Sequence, residues 1–127
     1  MLLASAGFLI TVRRAAAIAA RLPKHGIDEC AISSITLAEL QFGVAKSNRP
    51  GHHETLLLKF CAPLAIMPFD DRAAETYGRV RAALERAGTP IGPLDTLIAA
   101  HALTLDLTLI TRNEHEFRRV EGLRIEN

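Results

Sequence analysis

The chain has 127 residues, of which 49% are hydrophobic and 23% are charged, and its formal net charge is +1. This length suits one domain, so we expect residues 1–127 to form a single unit with its own core. High apolar content and low net charge exclude a mainly disordered chain and a broadly basic nucleic-acid-binding surface. Two cysteines, Cys30 and Cys61, are too few for a disulfide scaffold or a zinc site and favour a reduced, cytoplasmic protein.

The N-terminal segment is apolar over residues 1–12 and ends at Arg13-Arg14. It is too short for a transmembrane helix, and its positive charges follow the apolar run, whereas a signal peptide carries them before it. A twin-arginine signal is a weaker alternative. We therefore predict a short buried strand at Leu2–Leu3, a helix over Ala15–Leu22 and no association with a membrane.

Further along the chain, apolar β-branched runs alternate with helical patterns. Asp70 is expected to cap a helix, and Gly88 to end it. In the helix after the next loop, we expect Leu94, Leu97, Ile98 and Leu105 to face inward. The predicted strands are Cys30–Ile35, Leu64–Phe69, Leu107–Thr111 and Leu123–Ile125, and the predicted helices are Thr36–Lys46, Glu54–Phe60, Asp71–Ala87, Asp95–Leu105 and Glu114–Arg118.

This alternation predicts an α/β protein, a three-layer α/β/α sandwich around a mostly parallel sheet. In such sheets, ligands bind at the carboxyl ends of the strands. The segments to inspect are therefore those that follow strands, namely Ala4–Gly7, Thr36–Glu39, Asp70–Asp71 and Thr111–Asn113.

Three residues near that edge could carry chemistry, and each has a structural alternative. Glu39 fits a capping box with Thr36, and Asp95 could cap the helix that follows a loop stiffened by two prolines. Asn113 follows a buried strand and could also be a helix cap. Two or three carboxylates brought together here would suit Mg²⁺ or Mn²⁺, which prefer oxygen ligands.

Other polar residues are weaker candidates. His52-His53 lies in a polar segment without a partner at ligand spacing, and His101 is expected to be structural. Arginines at positions 72, 79 and 86 can line one helix face, as a basic stripe for RNA or as members of i, i+4 ion pairs. The sequence has no phosphate-binding loop, dinucleotide-binding fingerprint or nucleophile elbow, which argues against a small hydrolase or nucleotide-binding domain.

Several longer segments resemble the VapC toxins of toxin–antitoxin modules, which are PIN-domain ribonucleases. The resemblance lies in AISSITLAELQFGVAKS (residues 31–47), RAALERAGTPIGPLDTLIAAHAL (residues 81–103), LTLITRNEHEF and VEGLRIEN. It implies a PIN-like fold, Mg²⁺- or Mn²⁺-dependent cleavage of RNA, a VapB-like antitoxin as partner and a homodimer. It also implies that Glu39 and Asp95 hold the metal ion and that Asn113 completes the catalytic set, which reverses the structural interpretation of the two carboxylates.

One position departs from the family pattern. The family's first strand ends in an L-D-T-N motif whose Asp binds the metal, and Ala4 falls where that Asp is expected. Three explanations are open: a decayed relative, an altered start of the chain, or a site in which Glu39, Asp95 and Glu116 still hold a metal. The sequence therefore leaves two hypotheses, an active endoribonuclease toxin and an impaired PIN-domain protein that binds a VapB-like antitoxin or RNA without cutting.

Overall fold

The computed structural model describes residues 2–5 and 30–127. Its five strands form one sheet in the order β3-β2-β1-β4-β5, and every pairing is parallel. The predicted helix Ala15–Leu22 and the Arg13-Arg14 pair lie outside the described residues. The strands are β1 (Leu2–Ala4), β2 (Cys30–Ser33), β3 (Ala65–Met67), β4 (Thr108–Ile110) and β5 (Ile125–Glu126).

Helices cover both faces of this sheet, as predicted for a three-layer sandwich. Side chains alternate along each strand, so Ala4 and Ile32 face one layer while Leu3 and Ala31 face the other. The first layer contains α1 (Ser34–Lys46) and α2 (Pro50–Cys61), and the second contains α3 (Asp71–Arg86), α4 (Pro93–Leu105) and α5 (Glu114–Phe117).

Helix ends follow the local chemistry that the sequence predicts. Asp70 caps α3, since its Oδ1 accepts a hydrogen bond from the Ala73 N–H at 3.0 Å. Gly88 follows the C-terminal end of α3 with a φ of 71°, a left-handed conformation that suits glycine. None of the described helices is both long enough and apolar enough to cross a membrane.

Several local predictions were wrong. The helix predicted over Glu54–Phe60 begins earlier, at Pro50, where a proline occupies the first turn, and the last strand is Ile125–Glu126 instead of Leu123–Ile125. The strand predicted to run to Ile35 ends at Ser33, because the chain already turns into α1 at Ser34. Leu94 does not face inward, and 47% of its surface is exposed. It lies in the first turn of α4, before the buried residues of that helix, which start at Thr96.

Candidate active site at the carboxyl edge of the sheet

Glu39 lies on α1, between the buried sheet and solvent. Ser33 is the N-cap of this helix, and its Oγ accepts a hydrogen bond from the Ile35 N–H at 3.0 Å. Thr36 Oγ1 is buried and has no hydrogen-bond partner in the described part of the chain. The predicted capping box of Thr36 and Glu39 is therefore not formed, which removes the structural alternative for Glu39. Burial raises the pKa of the Glu39 carboxyl.

Asp95 lies in the first turn of α4. The N-cap of this helix is Gly92, and Pro93 occupies the first helical position, so Asp95 does not serve as the cap. The turn is held by Thr96, whose hydroxyl donates a hydrogen bond to the Gly92 carbonyl at 2.8 Å. The Asp95 carboxylate is thereby free of a capping role, while its backbone is fixed by the loop and the helix.

The structure brings the Asp95 carboxyl towards two others. The pKa of Asp95 is raised to about 6, and burial is the largest cause. Glu116 raises it further, through a hydrogen bond and through its negative charge, and the charge of Glu39 has the smallest effect. Like charges disfavour ionisation of a neighbour, so Asp95 lies within electrostatic reach of Glu116 on α5 and, more weakly, of Glu39 on α1. A cation placed among them would relieve this repulsion.

Asn113 and Glu116 form the side of the site that follows β4. Asn113 is the N-cap residue of α5, but its side chain does not cap the helix. Instead its Nδ2 donates a hydrogen bond to Glu116 Oε2 at 2.9 Å, and its backbone N–H donates to Thr111 Oγ1 at 3.1 Å. Thr111 is 2% exposed and anchors the turn. Asn113 thus orients Glu116 towards the site.

Glu116 is the residue that the sequence ranked too low. The sequence indicates Glu116 only as a third carboxylate. It stands three residues after Asn113, however, and this spacing places both side chains on the same face of a helical turn. Its neighbour Glu114 points elsewhere and lies 3.8 Å from Arg118 in an exposed ion pair. The i, i+3 spacing from Asn113 is therefore the sequence signal that distinguishes Glu116 from Glu114.

Ala4 is the last residue of β1 and pairs in register with Ile110 of β4. The strand therefore delivers position 4 to the carboxyl edge, beside the turn that carries Asn113. Ala4 is fully buried in an apolar cluster that includes Cys30 and Ile32. Its methyl group offers no oxygen ligand, so position 4 adds nothing to the carboxylates at this edge.

The carboxylates suit a hydrated hard cation better than an enclosed metal cage. Across residues 2–5 and 30–127, no three Asp, Glu, His or Cys side chains are close enough together to form a ready-made site. Mg²⁺, however, keeps several waters and takes only one or two protein carboxylates directly. Asp95 lies beside Glu116, and Glu39 is close enough to raise the pKa of Asp95, so these three carboxyls are the candidate ligands at this edge.

The remaining candidates are accounted for by the surface. His53 Nδ1 lies 2.8 Å from Ser47 Oγ, and His52 is exposed. On α3, Arg79 pairs with Glu75 at 3.1 Å, as the i, i+4 alternative predicts. An exposed ion pair of this kind contributes little to stability, and this one reduces the net positive charge of the arginine stripe predicted along α3.

Comparison with known proteins adds a family to this geometry. The family model of the PIN domain matches residues 8–123, most of the chain. The tRNA(fMet)-specific endonuclease VapC of Salmonella typhimurium is 44% identical over 96 residues, which cover 76% of this chain and 73% of that protein. Ribonuclease VapC2 of Haemophilus influenzae is 37% identical over 115 residues, covering 91% of this chain and 86% of the relative.

Solved structures agree with the sequences. The DNA-bound VapBC of Salmonella typhimurium has a TM-score of 0.91 and 37% identity, covering 99% of this chain and 98% of that one. VapBC2 from Rickettsia felis, bound to a promoter DNA fragment, has a TM-score of 0.88 and 34% sequence identity. The match covers 99% of this chain and 97% of that one. The three-layer fold is that of a PIN domain. Within that class, the chain belongs to the VapC family of ribonucleases, as the resemblance in the sequence predicts.

Proposed function

We propose that this chain is the toxin of a VapBC-type module, an endoribonuclease that depends on Mg²⁺ or Mn²⁺. The observation that carries the proposal is the convergence of Asp95, Glu116 and Glu39 at the carboxyl edge of the sheet. Relatives named as VapC ribonucleases support the reaction class. Cleavage of RNA at this edge agrees with the general location of ligands in parallel α/β sheets.

In this proposal, Asp95 and Glu39 hold the metal ion. A bound divalent cation would supply positive charge at the scissile phosphate and make a coordinated water more acidic. Glu116 adds an oxygen beside Asp95, with which its carboxylate shares a hydrogen bond. When ionised, that carboxylate can accept a proton from water. Asn113 keeps Glu116 in place through the 2.9 Å hydrogen bond.

The proposed partners are RNA, a VapB-like antitoxin and a second copy of the chain. The antitoxin is proposed because structures of relatives are VapBC complexes, including one from Haemophilus influenzae at a TM-score of 0.88. The proposed substrate class is RNA of the cytoplasm. A cytoplasmic location of the chain is therefore also a prediction. Co-expression with the antitoxin of the same operon, followed by size-exclusion chromatography, tests the complex and its stoichiometry.

The direct test is metal-dependent cleavage of a structured RNA such as a tRNA. We expect cleavage with Mn²⁺ that EDTA stops, and a loss of at least about 100-fold in Asp95→Asn, because a metal ligand loses its charge. Asp106→Asn is the matched control, since Asp106 is exposed and pairs with Arg124 at 3.0 Å. An Asp95→Asn protein as active as the parent would contradict the assignment.

A second candidate function is favoured by Ala4. A PIN domain that lacks a carboxylate at the end of β1 would bind its antitoxin or RNA without cutting. Ala4→Asp restores the charge, and Ala4→Asn is the matched neutral control. Cleavage by Ala4→Asp alone, with none by the parent at high Mn²⁺, would establish the impaired form, whereas cleavage by the parent would establish the active one.

A further inference from the structure

We propose that His101 is a positioning residue, which holds the start of α1 against α4 and so sets Glu39 relative to Asp95. The proposal rests on the proposed function, because it concerns the two carboxylates assigned there to the metal. His101 does not belong to the carboxylate cluster. It lies on α4, six residues after Asp95, on the face that packs on the sheet.

The central contact is a hydrogen bond between His101 and Ser33. The His101 Nδ1 and Ser33 Oγ atoms lie 2.8 Å apart, and the two residues are 1% and 0% exposed. Ser33 is both the last residue of β2 and the N-cap of α1. The hydrogen bond therefore joins the body of α4 to the point where the chain leaves the sheet and enters the helix of Glu39.

The Ser33 hydroxyl has little freedom. Its Oγ accepts from the Ile35 N–H at 3.0 Å, so its own proton is available for the imidazole. Burial lowers the pKa of His101, while the Asp70 charge and the Pro68 carbonyl raise it to a smaller degree. A neutral ring can accept the Ser33 proton at Nδ1, and the ring proton then lies on Nε2, a buried nitrogen with no hydrogen-bond partner among the described residues.

A second contact holds the same ring from the side of β3. The Phe69 and His101 rings meet edge to face, with centroids 5.3 Å apart and an interplanar angle of 73°. The Phe69 N–H donates a hydrogen bond to Ser34 Oγ at 3.0 Å, and Ser34 is the first residue of α1. Two consecutive serines at the start of α1 are thus fixed, one by α4 and the other by the loop after β3.

This arrangement affects the site because a helix moves as a body. Glu39 is five residues beyond the start of α1, about 7 Å at the rise of an α-helix. A small shift at Ser33 would therefore be carried to the Glu39 carboxylate, whereas Asp95 stays with α4. Displacement of a catalytic group by about 1 Å can reduce a rate about 100-fold. A side chain that only fills the space of His101 would leave Ser33 without this restraint.

Two variants separate positioning from filling. His101→Asn keeps a polar atom close to the position of Nδ1, and His101→Leu keeps volume without it. We expect His101→Leu to bind Mn²⁺ about tenfold more weakly by calorimetry and His101→Asn to stay within about threefold of the parent, the range typical of residues behind a metal ligand. We also expect the amides at the start of α1, including those of Ile35 and Thr36, to exchange with solvent about tenfold faster only in His101→Leu.

Equal behaviour of the two variants in both measurements would overturn the proposal and leave His101 as a space-filling residue. If the parent itself binds no Mn²⁺, the proposed function fails, but amide exchange still decides whether His101 restrains α1. If His101→Leu does not fold, Ser33→Ala removes the same hydrogen bond by changing its other partner. In a Ser33→Ala/His101→Ala double variant, effects on Mn²⁺ affinity smaller than the sum of the single effects support coupling, and simple addition contradicts it.

Discussion

The carboxyl ends of β1 and β4 are neighbours in the sheet, with Ala4 in register with Ile110, and they carry opposite chemistry. After β4, the chain places Thr111, Asn113 and Glu116 in one hydrogen-bonded turn beside Asp95. At the end of β1, Ala4 contributes a methyl group to an apolar cluster. One half of the edge is thus polar and acidic, and the other half is part of the core.

The comparison shows that a sheet can bring a strand end to this edge whatever side chain stands there. Backbone hydrogen bonds define where a strand ends, and they do not depend on the side chain at that position. The Asp95 side of the site also does not depend on Ala4, because it is built by α4, α5 and the turn after β4. Four changes test how independent the two halves are.

The largest effect is expected for the stability of Ala4→Asp. A carboxylate at this fully buried position is expected to lower the free energy of unfolding by about 3 kcal/mol without divalent ions, because the cluster offers no compensating charge. Mn²⁺ should recover part of the loss by binding the folded state. Thermal unfolding with and without Mn²⁺ measures both effects. The neutral Ala4→Asn variant should gain less stability from Mn²⁺ than Ala4→Asp does, and an equal gain would show that a carboxylate at position 4 does not contact the ion.

A smaller effect is expected for Asp95→Asn on metal-free stability. Folding raises the pKa of Asp95 from 3.8 to about 6, so the folded state favours the protonated acid. This contribution is complete below about pH 3.8 and is lost as the pH rises through 6. At pH 7.5 the ionised carboxylate is therefore unfavourable, and Asp95→Asn should stabilise the protein by about 1 kcal/mol after allowance for solvent screening.

Urea unfolding at several pH values checks this sign. The advantage of Asp95→Asn over the parent should shrink between pH 7.5 and pH 4. Asp106→Asn, on the exposed surface, controls for the loss of a carboxylate as such. A variant that is less stable than the parent at pH 7.5 would show that Asp95 is held by attractive contacts rather than by repulsion.

The next effect concerns the coupling between Glu116 and Asp95. In Glu116→Gln, the pKa of Asp95 should fall below about 6 yet remain above 3.8, because burial is the largest cause of the shift and persists. Carbon-13 NMR of the side-chain carboxyls follows the titration directly. Glu114→Gln is the control, since Glu114 pairs with Arg118 in solvent. An unchanged pKa in Glu116→Gln would mean that the two carboxyls do not interact.

The smallest effect is expected for Asn113→Ala. The hydrogen bond from Asn113 to Glu116 is exposed, and such bonds contribute about 1 kcal/mol or less. The Mn²⁺ concentration needed for half-maximal cleavage should therefore rise only about threefold. Asn48→Ala, a change on the exposed surface, should leave it unchanged. A loss as large as that of Asp95→Asn would make Asn113 a direct participant instead of a support for Glu116.

Much of the fold could be predicted from the sequence, because the signals are local. Alternating apolar runs and helical patterns identified the layers, and Asp70 and Gly88 marked helix ends through capping chemistry that involves only near neighbours. The wrong boundary at Ser33 has a physical cause. The β-branched run continues past Ser33, but Ser33 accepts the Ile35 N–H and starts the helix, so capping outweighs strand propensity there.

The candidate site was less predictable, because its members meet only through the fold. Local spacing offered Glu39 as the capping-box partner of Thr36 and Asp95 as a helix cap, but the structure places Ser33 and Gly92 at the N-caps of α1 and α4. Glu116 and His101 gave weak signals, since their importance depends on partners 21 and 68 residues away, Asp95 and Ser33.

The sequence by itself determined the layers, the two ends of α3 at Asp70 and Gly88, the family resemblance and the absence of an acid at position 4, because each of these depends on residue identity and short-range periodicity. Tertiary structure alone decided that Asp95, Glu116 and Glu39 share one edge and that Ser33 is tied to His101. Parallel pairing brings together the ends of strands that are distant in sequence, and burial then makes their charges and hydrogen bonds interact strongly enough to define a site.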